Sequence, residues 1–140
     1  MNIKEKLSEL SLNTQNSIVI GSGILNALKI RESSDIDLVV DKTTYQKLKR
    51  NPLFKITKPF NRQNLEYDTF DIGLSWNIPS AHIHYSFEEI FKNSQVIDDV
   101  RYISLEFLLK IKKMFLNSPI KREKDVKDIE LIEKYLNNKQ

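Results

Sequence analysis

The stretch DIDLVV, residues 35–40, constrains this chain most. It reads as a strand, and side chains along a strand alternate between faces. Asp35, Asp37 and Val39 therefore share one face, while Ile36, Leu38 and Val40 share the other and can join a core. At a rise of ~3.3 Å per residue the two aspartates stand roughly 6.5–7 Å apart along the backbone. Two like charges on one half-buried face repel each other and lose hydration. A divalent cation relieves both costs, and Mg²⁺ favours hard oxygen ligands, commonly carboxylates together with substrate phosphates. Read alone, the pair equally suits a solvated strand end with no function.

A third carboxylate repeats the pattern. In YDTFDIGLSW, residues 67–76, alternation puts Phe70, Ile72, Leu74 and Trp76 on an apolar face and Thr69, Asp71, Gly73 and Ser75 on the other. Asp71 thus stands on the polar face of a strand whose far face is core. Asp68 and Glu66 fall on the Phe70 side. If the two strands are neighbours, Asp35, Asp37 and Asp71 converge. Such a patch suits one or two Mg²⁺ ions, ~3.5–4 Å apart, and an in-line displacement at phosphorus.

Upstream, VIGSGILNAL runs from a strand through Gly21-Ser22-Gly23 into a helix. Glycines allow close approach of backbone to a ligand, and N–H groups at a helix start attract phosphate. The same three residues also suit a simple tight turn with Ser22 as helix N-cap. No Gly-Lys-Ser/Thr follows, so this is not a Walker loop. A third glycine is missing for a dinucleotide fingerprint.

The remaining pattern gives the order α-β-α-β-α-β-β…α-α, an α+β chain with a small mixed sheet flanked by helices. Helices are predicted over 24–30, after Asp41 or Thr43, after Ser86 (with Glu89 in capping-box spacing), over 104–117, and from Ser118 with Pro119 in the first turn. Strands are predicted over 17–21, 35–40, 54–58, 65–76 and within AHIHY, residues 81–85. On the helix from Ser104, Leu105, Leu108, Leu109, Phe115 and Leu116 mark a buried stripe, and Lys112 falls on it. A lysine facing inward needs a carboxylate or phosphate partner. On the last helix the stripe is Val126, Ile129, Leu131 or Ile132, and Leu136, with Asp125 and Asp128 beside it.

The combination of Gly-Ser, a helix, and Asp-x-Asp thirteen positions after Ser22 resembles the signature of the polymerase-β-like nucleotidyltransferase superfamily. The ending, a lysine-bearing helix and then KREKDVKDIELIEKYL, resembles its small bacterial, minimal branch. The likeness runs from about Ile18 to Leu136. It implies a single nucleotidyltransferase-fold domain over 1–140, with C-terminal helices at about 104–137 packed on it. Gly21, Ser22 and Gly23 would then bind nucleoside triphosphate, with Lys112 beside them. Asp35, Asp37 and Asp71 would be catalytic and hold Mg²⁺ or Mn²⁺. The acceptor would be a hydroxyl on a protein, an RNA or a small molecule. Better-known members carry Gly-Ser-x-Ala-Arg-Gly, whereas the first arginine after the serine here is Arg31. The resemblance leaves a second reading open, a weak or inactive nucleotide- or partner-binding module. Small members occur in toxin–antitoxin and phage-defence pairs, so a partner protein is compatible with either.

Composition narrows the setting. With 40% hydrophobic and 29% charged residues the chain is globular, and with no cysteine it has neither disulfides nor thiolate metal sites. The net charge of +3 sits entirely after Ser104, where nine Lys/Arg face six Asp/Glu. That suits an anionic small ligand. No apolar run is long enough to span a membrane, and MNIKEKLSELSLN lacks an apolar signal core, so the expectation is a cytoplasmic protein without a membrane partner.

Overall fold

The centre of the fold is two strands buried on both faces. In β1 (Ser17–Ile20) every residue is buried, and in β2 (Ile36–Val40) only Asp37 is not. They pair antiparallel, Ile20 opposite Asp37. A computed structural model describes residues 2–58, 63–117 and 122–138, with only the backbone at Ser80. The other elements are α1 (Ile3–Glu9), α2 (Gly23–Ala27), α3 (Lys42–Lys49), β3 (Lys55–Thr57), β4 (Asn64–Tyr67), β5 (Phe70–Gly73), β6 (Ser75–Ile78), β7 (Ile83–Ser86), α4 (Phe87–Lys92), β8 (Ser94–Ile97), β9 (Val100–Ile103), α5 (Leu105–Phe115) and α6 (Glu123–Asn138). The mixed sheet has seven strands in the order β3-β4-β5-β2-β1-β9-β8, and β6 and β7 form a separate hairpin. The contacts β2–β5 and β1–β9 are parallel and the rest antiparallel. This is an α+β architecture with a C-terminal helical pair. Among the described residues no helix is long and apolar enough to cross a membrane.

Local chemistry explains most element ends. Asp41 caps α3 by accepting from the Thr44 N–H at 2.8 Å, and Ser104 caps α5 through the Phe107 N–H. Ser86 and Glu89 form a complete capping box on α4. The expected start of the last helix at Ser118 and Pro119 lies outside the described residues.

Several expectations need correction. The strand predicted over 65–76 is three strands. The chain reverses at Asp68, whose φ is +53°, and breaks again at Leu74, which is exposed rather than core. The helix over 24–30 is a five-residue turn of helix ending before Leu28. The antiparallel pair β8–β9 is an addition to the expected strands. On α5 the buried stripe includes Phe107 and Ile111, and on α6 Val126 is exposed while Asp125 and Asp128 are buried. The polar face of β2 is open only at its start, because Val39 is fully buried.

Candidate active site

Strand register gathers the acids. Across the sheet, Ile20, Asp37, Asp71, Glu66 and Lys55 stand directly opposite one another on β1, β2, β5, β4 and β3. Residues opposite one another share a face and belong to strands ~4.8 Å apart. Asp37 and Asp71 are thus immediate neighbours. Glu66 joins them on the same face, contrary to the alternation read through the sequence. That alternation fails because the turn at Asp68 separates β4 from β5. Asp71 Oδ1 accepts a 2.8 Å hydrogen bond from Asn64 Nδ2. Gly73 makes room for this asparagine, since a Cβ there would lie 3.0 Å from Asn64 Oδ1. Asp35 precedes β2 and is exposed.

The glycine-serine turn touches the acids. Gly21 has φ +65°, a conformation that favours glycine, and a Cβ on it would stand 3.1 Å from Asp37 Oδ2. Its backbone therefore lies against that carboxylate. Ser22 occupies the N-cap position of α2 but makes no capping bond. Its Oγ instead accepts from Arg31 Nη2 at 2.9 Å. Gly23 serves packing: it is buried, and a Cβ would collide with Val19 at 2.3 Å.

Arg31 reaches back to Ser22 because α2 ends in a Schellman turn. The Ile30 N–H donates to the Leu25 carbonyl and the Lys29 N–H to Asn26, with Lys29 at φ +59°. The reversal carries Arg31 to the start of the same helix. Its guanidinium also donates to both oxygens of Asp128, at 2.7 and 2.8 Å, and to the Glu32 carbonyl. Asp128 receives Lys112 as well, at 2.8 Å, and Lys112 reaches Asp125 at 3.0 Å. Arg122 closes the chain on Asp125. Lys112, expected beside a nucleotide, is only 3% exposed and bonded to two carboxylates. It touches the site through Asp128 and Arg31. The interleaved acids Asp125 and Asp128 are buried because cations meet them there.

A cavity of about 430 Å³ opens where these parts meet. It is lined by Ser22, Arg31, Asp35, Asp37 and Lys124, with Glu32, Ser33 and Ser34. Burial first, then repulsion from Asp71 and Asp35, pushes the Asp37 carboxyl up to about 6, against the opposing pull of Lys124 and Lys112. A larger cavity of about 570 Å³, bordered by Tyr45, Lys49, Asn64, His84 and Phe87, includes none of the three acids. Two of the three, Asp35 and Asp37, line the smaller one, and Asp71 lines neither.

Arg31 and Lys124 were not among the predicted site residues. The arginine falls nine positions after the serine, and only the Schellman turn brings it back. Among the described residues, no three His, Asp or Glu side chains are gathered into a metal cage. Asp37 and its register neighbour Asp71 offer carboxylate oxygens, the donor type a hard cation takes, and Asp37 resists ionisation without a counter-charge. No family model, curated protein or solved structure matches the chain.

Proposed function

We propose that this chain is a nucleotidyltransferase with the fold of the polymerase-β-like superfamily. It would transfer a nucleoside monophosphate from a nucleoside triphosphate to an acceptor hydroxyl of a protein, an RNA or a small molecule. One observation carries the reading: the Gly21 backbone rests against Asp37, and Asp71 stands beside Asp37 in register. A phosphate-binding turn and a pair of acids are thereby joined at contact distance. Asp35, Asp37 and Asp71 would hold Mg²⁺ or Mn²⁺, which would supply charge neutralisation to the reacting phosphate. Ser22, accepting from Arg31, keeps its own hydroxyl proton to donate to a phosphate oxygen. Arg31, bonded to Ser22, brings a guanidinium to the phosphate-side turn. Asp71, with one oxygen fixed by Asn64, is oriented to accept the acceptor's proton.

The test is incubation with labelled nucleoside triphosphates, Mg²⁺ or Mn²⁺ and candidate acceptors, alongside Asp35→Ala/Asp37→Ala. The expected result is label transfer by the unaltered chain alone. Transfer that survives the double substitution contradicts the site. A second reading, a nucleotide-binding module without turnover, is favoured by one observation: Lys112 and Arg31 are already bonded to Asp128. Metal-dependent nucleotide binding without transfer would support it.

A further inference from the structure

The neutral front of the chain hides a local imbalance. Residues 42–65 contain seven Lys or Arg and no Asp or Glu. Six of the seven are described, namely Lys42, Lys47, Lys49, Arg50, Lys55 and Lys58, and all six are exposed. Among the described residues none of the six has an ion-pair partner. Lys42, Gln46 and Lys49, spaced by four and three residues, share one side of α3. All three line the cavity of about 570 Å³. Lys55 stands opposite Glu66, and Asn64, two residues from Glu66 on β4, therefore shares the same face of the sheet. Asn64 also lines the cavity. The basic run and the cavity thus belong to one surface, on the face that carries Asp71. The acids at its border are Asp41, which caps α3, Glu66 and Glu88, so positive charge exceeds negative there.

We propose that this surface docks single-stranded nucleic acid, with its phosphates against Lys42, Lys49 and Lys55 and one unpaired base in the cavity. Phe87 and Leu74 give the cavity apolar walls, and the amides of Gln46 and Asn64 carry both donors and acceptors for a base edge. The Tyr45 hydroxyl donates to the Gln63 carbonyl at 3.0 Å and Lys49 to the Gln63 side chain at 3.2 Å, which ties α3 to the start of β4 and preforms the wall between them. A duplex keeps its base faces stacked and its pairing edges occupied, whereas a single strand offers them. A flat anionic membrane would meet the lysines and leave the cavity unused. The inference concerns binding and does not need the transfer reading.

The test is fluorescence anisotropy of the full chain with labelled ten-nucleotide RNA and DNA single strands, a duplex of the same length, and an abasic strand that keeps the phosphates without the bases. Sedimentation with phosphatidylserine vesicles covers the membrane alternative. The variants are Lys42→Gln/Lys49→Gln and Gln46→Ala. All three side chains are exposed, so their loss leaves the fold intact, which circular dichroism verifies. The unaltered chain should bind the single strands more tightly than the duplex or the abasic strand. The double lysine variant should weaken binding roughly tenfold or more. It should also lower the salt slope by about 1.4, from two phosphate contacts at ~0.7 each. Gln46→Ala should weaken binding to the base-bearing strands several-fold, with the salt slope unchanged. A preference for RNA over DNA would assign the 2′-hydroxyl to the contact, and equal affinity would assign only phosphate and base; both support the surface. No binding by the unaltered chain, equal affinity in the double lysine variant, or equal affinity for the abasic strand overturns it. So does lysine-dependent binding to vesicles without binding to the strands.

Discussion

Two groups of aspartates, one of them bonded through Arg31 to Ser22 beside the other, are electrostatic opposites. Asp125 and Asp128 are almost fully buried. Burial pushes both carboxyls up, yet bonds from Arg122 and Lys112 on one, and from Arg31 and Lys112 on the other, hold them below the ordinary range. Asp37 is less buried, but burial and two like charges lift it to about 6. The first group is satisfied by the chain itself. The second is not, and a site whose charges conflict in the free protein is a candidate for a ligand that resolves them. Buried acid alone therefore does not mark a functional site. What marks it is acid without its cation.

The largest expected effect removes the satisfied group's shared cation. Lys112→Ala should destabilise the fold by about 3–5 kcal/mol, because it leaves two buried carboxylates short of a partner. Denaturant unfolding measures this, and a loss below about 1 kcal/mol would mean the network is no more than surface pairing. The opposite sign is expected at the sheet. Asp37→Asn should stabilise the free protein by roughly 2–3 kcal/mol at pH 7.5 and leave it unchanged at pH 3.5. The sign follows from the raised folded-state pKa. Below the usual carboxylate range, Asp37 is protonated both folded and unfolded. As pH rises towards about 6, the unfolded chain ionises first, so stability falls; above that the penalty is complete. Unfolding curves at the two pH values check it, and a stability independent of this substitution breaks the contrast. A smaller effect concerns the link between the groups. Lys29→Gly should stabilise by about 1 kcal/mol, since Lys29 holds the left-handed position of the Schellman turn that returns Arg31 to Ser22. A destabilisation of similar size would show that the lysine side chain itself is needed there.

Period-two alternation made part of this contrast legible in the sequence. It put Asp37 and Asp71 each on the polar face of a strand, and the register then brought them side by side. Glu66 lies on the opposite face from the one alternation predicts, because Asp68 is a turn residue at positive φ. The hairpin β8–β9 lies outside the expected elements, although Asp98-Asp99, both at positive φ, is a two-residue turn that aspartate tolerates. Val126, expected in the stripe of α6, is exposed, whereas Asp125, expected beside that stripe, is buried because Lys112, 13 residues away in the chain, and Arg122, three away, both bond to it. Arg31 was legible only as a distant arginine. Its place beside Ser22 depends on a turn closed by a lysine where glycine is usual.

The ionisation of Asp37 reports most directly on the unsatisfied acids. Carbon-13 NMR titration of its side-chain carboxyl, without ligand and then with Mg²⁺ and a non-hydrolysable nucleoside triphosphate, measures it. The free protein should show Asp37 titrating near 6, and bound Mg²⁺-nucleotide should draw it well below the ordinary carboxylate range. An ordinary value in the free protein, or no response to the metal-nucleotide, would contradict the claim that this carboxylate is poised for a cation.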